Sequence, residues 1–101
     1  MKIEYPHTLG LDDARVRLTA LGDLLKARFG VGFAWDGDQA RVTGKYLVVT
    51  IEGTLTLRPG LVVFEAKDPG LLWRGKAKNY ITGKLEKYLD PAISMEQIPR
   101  A

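Results

Sequence analysis

Apolar residues recur at steps of three and four in two segments of the chain. In the first segment these residues are Leu11, Ala14, Leu18, Leu21, Leu25 and Phe29. This spacing predicts an amphipathic helix, because residues three and four apart share one helix face. Gly10 is the predicted N-cap, and Gly30 is predicted to end the helix. Gly22 lies inside it, where glycine costs about 1 kcal/mol against alanine, so we expect close packing against another element there.

The second helical pattern lies near the carboxyl terminus. Its apolar stripe consists of Trp73, Ala77, Ile81, Leu85 and Leu89. Asp68 is expected to cap the amino-terminal end of this helix, with Pro69 at the first helical position. Asp90 precedes a proline, and such a residue disfavours helical backbone angles. The helix is therefore predicted to end at this point.

Short segments between and before the helices predict strands. The expected strands are 2–5, 31–35, 39–43, 46–57 and 61–66. Turns are expected at Asp36-Gly37-Asp38, Gly44-Lys45 and Arg58-Pro59-Gly60, because glycine, proline and aspartate favour turn geometries.

The longest predicted strand separates apolar from polar side chains most clearly. One face is expected to carry Leu47, Val49, Ile51, Leu55 and Leu57. The other face is expected to carry Tyr46, Val48, Thr50, Glu52, Thr54 and Thr56. Gly53 falls on the apolar face, which indicates a bulge or a place where another group packs closely on the sheet.

The element order is therefore β-α-β-β-β-β-α. Hairpin-length connections predict an antiparallel sheet of four to five strands. With one apolar face on the sheet and one apolar stripe on each helix, we expect an α+β fold, a two-layer sandwich with both helices on one face. Residues 1–91 are expected to form a single domain, followed by a loose tail at 92–101, where the sequence shows little pattern.

Composition limits the chemistry that the chain can carry. The chain has no cysteine, one histidine (His7) and one serine (Ser94, in the tail). These counts argue against disulfides, thiol catalysis, zinc–cysteine sites, multi-histidine metal sites and a Ser-His-Asp centre. We therefore expect that the protein is not an enzyme and that it binds no metal and no cofactor. The amino terminus lacks an apolar signal region and no stretch is long enough for a membrane helix, so we expect a cytoplasmic protein.

Positive charge is concentrated in the last third of the chain. The formal charge is +3, and the second predicted helix carries Arg74, Lys76, Lys78, Lys84 and Lys87. A basic amphipathic helix can adsorb to an anionic surface, either phospholipid or nucleic acid. The interpretation that we favour is that Trp73 and its stripe pack on the sheet while the lysines are solvated.

Two smaller groups are also candidate binding residues. His7 could contact a ligand or move a proton, although such a histidine more often ties a loop through a hydrogen bond. Trp35 and Asp38 could form a stacking platform beside a carboxylate, although aspartates in such a turn more often bond to the local backbone. The polar face of the sheet could also serve as a homodimer surface.

Several short motifs, taken in order, resemble a known family. They are Ile3-x-Tyr5-x-His7-x-Leu9-Gly10, then Ala14-Arg15, then Trp35-x-Gly37-Asp38, and later Gly53 and the last-helix residues Lys76, Ile81, Leu85, Leu89 and Asp90. The pattern resembles the small bacterial putative polyhydroxyalkanoic acid system proteins, a polyhydroxyalkanoate granule-region family. It covers about residues 2–91. The chain departs from the family at 68–72, where the usual Leu-Gly-rich segment is only approximated.

The resemblance implies an association with polyester storage-granule genes but no established activity. We therefore expect a non-enzymatic binding module, an accessory protein of the polyhydroxyalkanoate system, that acts on the granule surface or on granule proteins. One alternative is a carrier of a small apolar ligand such as an acyl chain, which would require a cavity lined by Leu47, Val49, Ile51 and Ile81. A less favoured alternative is a nucleic-acid-binding domain that uses Arg74, Lys78 and Lys84.

Overall fold

Five strands and two helices follow the chain in the predicted order. The computed structural model describes residues 1–46 and 49–100, without the side chain of Tyr46. The elements are β1 (Lys2–Pro6), α1 (Leu11–Phe29), β2 (Gly32–Asp36), β3 (Gln39–Tyr46), β4 (Val49–Arg58), β5 (Leu61–Ala66) and α2 (Leu71–Tyr88), followed by a short 3-10 helix (Met95–Gln97).

The strands form one antiparallel sheet in the order β1-β5-β4-β3-β2. The amino-terminal strand, whose neighbour the sequence did not indicate, pairs along β5, with Ile3 opposite Phe64. Both helices lie on the apolar face of the sheet, so the predicted two-layer α+β sandwich is confirmed. On β4, Thr54 and Thr56 alternate with the buried Leu55 and Leu57 and therefore lie on the face away from the helices.

The two helices contribute unequally to the core. Helix α1 buries residues along most of its length, namely Ala14, Arg17, Leu18, Ala20, Leu21, Gly22 and Leu24. Helix α2 buries only Leu85 and Tyr88 within its bounds, followed by Leu89 just after its end. Helix α2 therefore contributes to the hydrophobic core through its carboxyl-terminal end.

The glycines predicted to mark helix ends and close packing in α1 occupy those positions. Gly10 is the N-cap and Gly30 the C-cap, with the Gly30 N–H donating to the Lys26 carbonyl at 3.0 Å. A Cβ on Gly22 would lie 2.8 Å from the ring of Phe33 in β2, so the expected close packing is confirmed. A Cβ on Gly53 would lie 2.6 Å from the Glu65 carbonyl oxygen, which confirms close approach of the neighbouring strand.

The close contact between Gly22 and the Phe33 ring predicts how a substitution at Gly22 changes the stability of the protein. We expect Gly22→Ala to lower the free energy of unfolding by about 1–3 kcal/mol, because displacing the Phe33 ring outweighs the better helix propensity of alanine. Gly75→Ala is the matched control, since a Cβ there would meet nothing within 4 Å, and it should stabilise the protein by about 0.5–1 kcal/mol. Urea unfolding followed by circular dichroism measures both. Equal stabilisation by the two substitutions would contradict the packing role of Gly22.

The turn predicted at Gly44-Lys45 is wrong. β3 continues through both residues to Tyr46, and Gly44 pairs with Ile51 of β4. A Cβ on Gly44 would lie 2.8 Å from the Cα of Val31, so the glycine is needed for close approach of a neighbouring segment. The predicted faces of Leu47 and Val48 lie outside the described residues.

The predicted start of the second helix is also wrong. The helix begins at Leu71 with Gly70 as its N-cap, two residues later than expected. Gly70 adopts a φ of 101°, a conformation that L side chains rarely adopt and that is incompatible with helix continuing toward Pro69. Asp68 instead accepts a hydrogen bond from the Gly70 N–H at 2.9 Å and forms an ion pair with Arg74. The carboxylate therefore stabilises the turn before the helix.

The segment after α2 packs more closely than the expected loose tail. Ile98 is buried in the core cluster, and the Tyr88 hydroxyl donates to the Pro99 carbonyl at 2.6 Å. The backbone N–H of Ser94 donates to the Gln97 side chain at 2.9 Å, which stabilises the 3-10 helix. The expectation of a loose tail does not describe residues 94–99, because Ile98 is buried, Met95 packs against the core and Pro99 accepts the hydrogen bond from Tyr88.

Candidate functional site

An apolar groove lies between α2 and the sheet, lined by α2 residues from Trp73 to Leu85. It has a volume of about 480 Å³, and its lining comes from both helices and from the sheet. The floor includes Ile51, Phe64 and Ala66, and the α1 side includes Leu25 and Phe29. A concave, mostly apolar space of this size is typical of sites that bind small molecules or apolar chains.

The groove exists because α2 contacts the core at one end only. Leu85 is 1% exposed, whereas Leu71 and Leu72 are 83% and 86% exposed at the opposite end of the helix. Between these ends, Trp73 and Ala77 are half-buried and line the groove. The interpretation that the whole stripe packs on the sheet is therefore right for its carboxyl-terminal half only.

Two aromatic side chains of the groove lining, one from each helix, contact each other. The rings of Phe29 and Tyr80 meet edge to face, with their centroids 6.1 Å apart. Such pairs contribute about 0.5–1.5 kcal/mol beyond the area that they bury. The sequence named Leu47, Val49, Ile51 and Ile81 as the lining of a cavity; the last three line this groove, and Leu47 lies outside the described residues.

The charged residues that line the groove are Glu52, Lys67, Lys76 and Lys84. Lys67 pairs with Glu52 at 3.5 Å. Lys76 lies over the Trp73 ring, 5.8 Å from its centroid, and Lys84 lies over the Tyr80 ring at 5.5 Å. In the described part of the chain no salt bridge joins either of these two lysines to a carboxylate. Burial lowers the pKa of Lys84, and the neighbouring charges of Lys87 and Arg28 lower it further.

The structure divides the predicted residues of the basic helix. Trp73 and Lys84 line the groove, whereas Lys78 is exposed outside its lining. Arg74 lies at the start of α2 and pairs with Asp68. Hydrogen bonding from the Arg74 guanidinium lowers the pKa of the Asp68 carboxyl, with the Gly70 N–H contributing second. Arg74, Lys78 and Lys84, the residues proposed for nucleic-acid contact, therefore lie in three different environments: an ion pair, the exposed surface and the groove lining.

His7 is buried in the loop after β1, and both of its ring nitrogens have partners. Nδ1 accepts a hydrogen bond from the Leu9 N–H at 3.2 Å, so Nε2 carries the proton and donates it to the Arg58 carbonyl at 3.2 Å. The backbone N–H of His7 also donates to the Gly60 carbonyl at 2.9 Å. These contacts support the loop-tying role that the sequence favoured.

Trp35 and Asp38 both contact Arg15 of α1. The Arg15 guanidinium lies 4.9 Å from the Trp35 ring centroid, and its Nη1 lies 3.5 Å from Asp38 Oδ1. The arrangement braces the β2–β3 turn against α1. Trp35 is in β2 and His7 follows β1, at opposite edges of the sheet, so the two residues do not belong to one site.

Two features of α2 could have been predicted by assigning every residue of the helix to a face from its spacing to the apolar stripe. Lys76 and Lys84 lie three residues after Trp73 and Ile81, so each shares the face of the apolar stripe. Leu71 and Leu72 lie off the stripe, which indicates exposure at the start of the helix. The separation of this helix end from the sheet has no such local signal. Use of the outer sheet face by a homodimer stays a prediction.

Comparisons with known proteins complete the description of the site. Within residues 1–46 and 49–100, no helix is long and apolar enough to cross a membrane. No curated protein and no solved structure gave a significant match. A family model matches residues 1–93, which include the whole sheet and both helices. The chain therefore belongs to the family of putative polyhydroxyalkanoic acid system proteins, as its motifs suggested.

Proposed function

We propose that the protein is a non-enzymatic accessory module of the polyhydroxyalkanoate system that docks on the polyester surface of storage granules. The observation that carries this proposal is the exposed apolar start of α2, formed by Leu71, Leu72 and Trp73. We call these three residues the apolar tip. Trp73 also lines the groove, so the tip and the groove form one continuous apolar surface.

Burial of this surface would contribute favourable free energy to docking. Leu71 and Leu72 are more than four-fifths exposed, and moving one leucine side chain from water to an apolar environment contributes about 1.5–3 kcal/mol. A polyester surface supplies that environment without specific hydrogen-bonding demands. Two adjacent leucines and a tryptophan at the start of a helix can contact such a surface together, which supports docking by the tip.

Electrostatic attraction makes a separate and weaker contribution. Lys76 and Lys78 are exposed on α2 within about two turns after the apolar tip, and their charges attract an anionic layer such as phospholipid. Attraction between exposed charges falls as salt rises, because the screening length shrinks to about 3 Å at 1 M. Apolar docking does not weaken in this way. Salt dependence therefore separates the two modes of adsorption.

Sedimentation with isolated polyester granules tests the proposal. The purified protein should pellet with granules at low salt and at about 1 M salt, whereas its binding to anionic phospholipid vesicles should fall sharply at the higher salt. Granules treated with protease should still bind it if the polymer surface is the partner.

Failure to pellet with granules at either salt would contradict the proposal. Binding that disappears at high salt and is equal on vesicles would also contradict it, in favour of general electrostatic adsorption. Loss of binding on protease treatment would replace the polymer surface with a granule protein as the partner.

A further inference from the structure

We propose that the groove also binds a soluble aliphatic carboxylate, with the hydrocarbon chain along the apolar floor and the carboxylate beside the ammonium group of Lys84. This inference goes beyond granule docking, because the ligand is a free molecule and the purified protein alone suffices for binding. It also concerns the groove interior, whereas docking is assigned to the apolar tip.

The interior of the groove suits a hydrocarbon chain. Its volume of about 480 Å³ falls within the range of roughly 300–1,000 Å³ typical of small-molecule pockets. Side chains such as Leu25, Ile51, Phe64 and Ile81 line it from four elements, namely the two helices and the strands β4 and β5. An aliphatic chain leaves no buried polar group without a partner against such a lining.

The charge of the lining favours an anionic headgroup. Glu52 is the acidic residue of the lining and pairs with Lys67. Lys76 and Lys84 lie over aromatic rings and form no salt bridge with a carboxylate in residues 1–46 and 49–100. The lining therefore carries an excess of two positive charges at the edge of an apolar space. A ligand with one apolar tail and one carboxylate complements both properties.

The surroundings of Lys84 add a second reason. Burial lowers the pKa of its ammonium group, and the like charges of Lys87 and Arg28 add to this effect. A bound carboxylate would stabilise the charged form and relieve this repulsion. The carboxylate also distinguishes a free acid from the polyester, whose repeating units are neutral esters.

Isothermal titration of the full chain with octanoate, decanoate and decanol tests this inference, with the two acids kept below their micelle concentrations and decanol below its solubility limit. Decanoate should bind about sixteenfold more tightly than octanoate, since each buried methylene contributes about 0.8 kcal/mol, or about fourfold. Decanoate should also bind about tenfold more tightly than decanol, because charge-assisted hydrogen bonds strengthen headgroup binding.

Two lysine variants locate the headgroup. Lys84→Met should weaken decanoate binding about tenfold and leave decanol binding unchanged. The matched control is Lys78→Met, an exposed lysine of the same helix outside the lining, which should bind decanoate as the wild type does. Both substitutions are on the helix surface or rim, so circular dichroism should show the wild-type fold.

Three results would overturn the inference: no binding of decanoate, equal affinity for decanoate and decanol, or an unchanged decanoate affinity in Lys84→Met. None of these bears on granule docking, because Leu71 and Leu72 are outside the groove lining. Conversely, Leu71→Ser/Leu72→Ser should retain decanoate binding even where granule binding is lost. The two proposals can therefore fail separately.

Discussion

Replacing Tyr88 with alanine is expected to lower the free energy of unfolding by about 3–5 kcal/mol, the usual cost of removing a large buried aromatic side chain. Tyr88 is 0% exposed at the end of α2, and its hydroxyl donates to the Pro99 carbonyl. Tyr88→Phe removes the hydroxyl alone and should cost about 1 kcal/mol. Urea unfolding measures both effects.

The control for this prediction is Tyr80→Ala, on the same helix at 43% exposure. It should cost clearly less than Tyr88→Ala. Burial raises the pKa of Tyr88 above its usual value of 10.0. The neutral hydroxyl therefore contributes to the free energy of unfolding below pH 10.0, and this contribution is lost as the pH rises through the raised pKa of the folded protein. Tyr88→Phe should lack this contribution. A similar loss for Tyr80→Ala and Tyr88→Ala would contradict the anchoring role of Tyr88.

Replacing Arg17 with methionine should cost about 2–4 kcal/mol, because it leaves buried hydrogen-bonding groups without partners. Arg17 is 5% exposed and donates through Nε to Asp13 Oδ1 at 3.0 Å. Its Nη1 donates to the carbonyls of Tyr88 at 3.3 Å and Asp90 at 3.0 Å. A cation here also stabilises the carboxyl-terminal end of the α2 dipole.

Arg15→Met is the matched control for Arg17→Met, because Arg15 is on the same helix and forms an exposed pair with Asp38. Exposed pairs contribute about 0–1 kcal/mol, so its loss should be small. Hydrogen exchange should show faster opening of the last turn of α2 in Arg17→Met only. Equal stability of the two variants would rule out Arg17 as the anchor of that turn.

The anchored end of α2 explains the groove along the rest of the helix. Tyr88 and Leu89 pack in the core, and Arg17 holds the last carbonyls of the helix. The first turn has a glycine N-cap without a side-chain hydrogen bond and no acidic residue, and it buries no residue in the core that the structure describes. Its ion pair between Arg74 and Asp68 is exposed. The helix therefore contacts the core at its carboxyl end and leaves an open apolar space between the rest of the helix and the sheet.

Local patterns predicted most of the fold. The bounds of α1 followed from its apolar spacing between Gly10 and Gly30, and the pairing of β2 to β5 in chain order followed from short connections. The position of β1 beside β5 did not follow from the sequence. Two of the errors came from residues whose role depends on a distant contact or on an unusual backbone angle. Gly44 admits Val31 rather than turning the chain, and Gly70 delays the start of α2 beyond Asp68.

The candidate site could be predicted only in part. Trp73 and Lys84 were identified from the basic, apolar pattern of the last helix, and both line the groove. The groove itself depends on how far one end of α2 stands from the sheet, which is a tertiary property. His7 and Trp35 also come from different sheet edges, which sequence order did not reveal.

The central claim is that the apolar tip at the start of α2 is the surface that docks on granules, and one comparison tests it most directly. The wild-type protein and Leu71→Ser/Leu72→Ser should be sedimented with polyester granules at about 1 M salt, where charge attraction is screened. Because both leucines are exposed, the variant should fold normally. The account predicts that the wild type pellets and the variant stays in solution. Equal pelleting of the two proteins would contradict it.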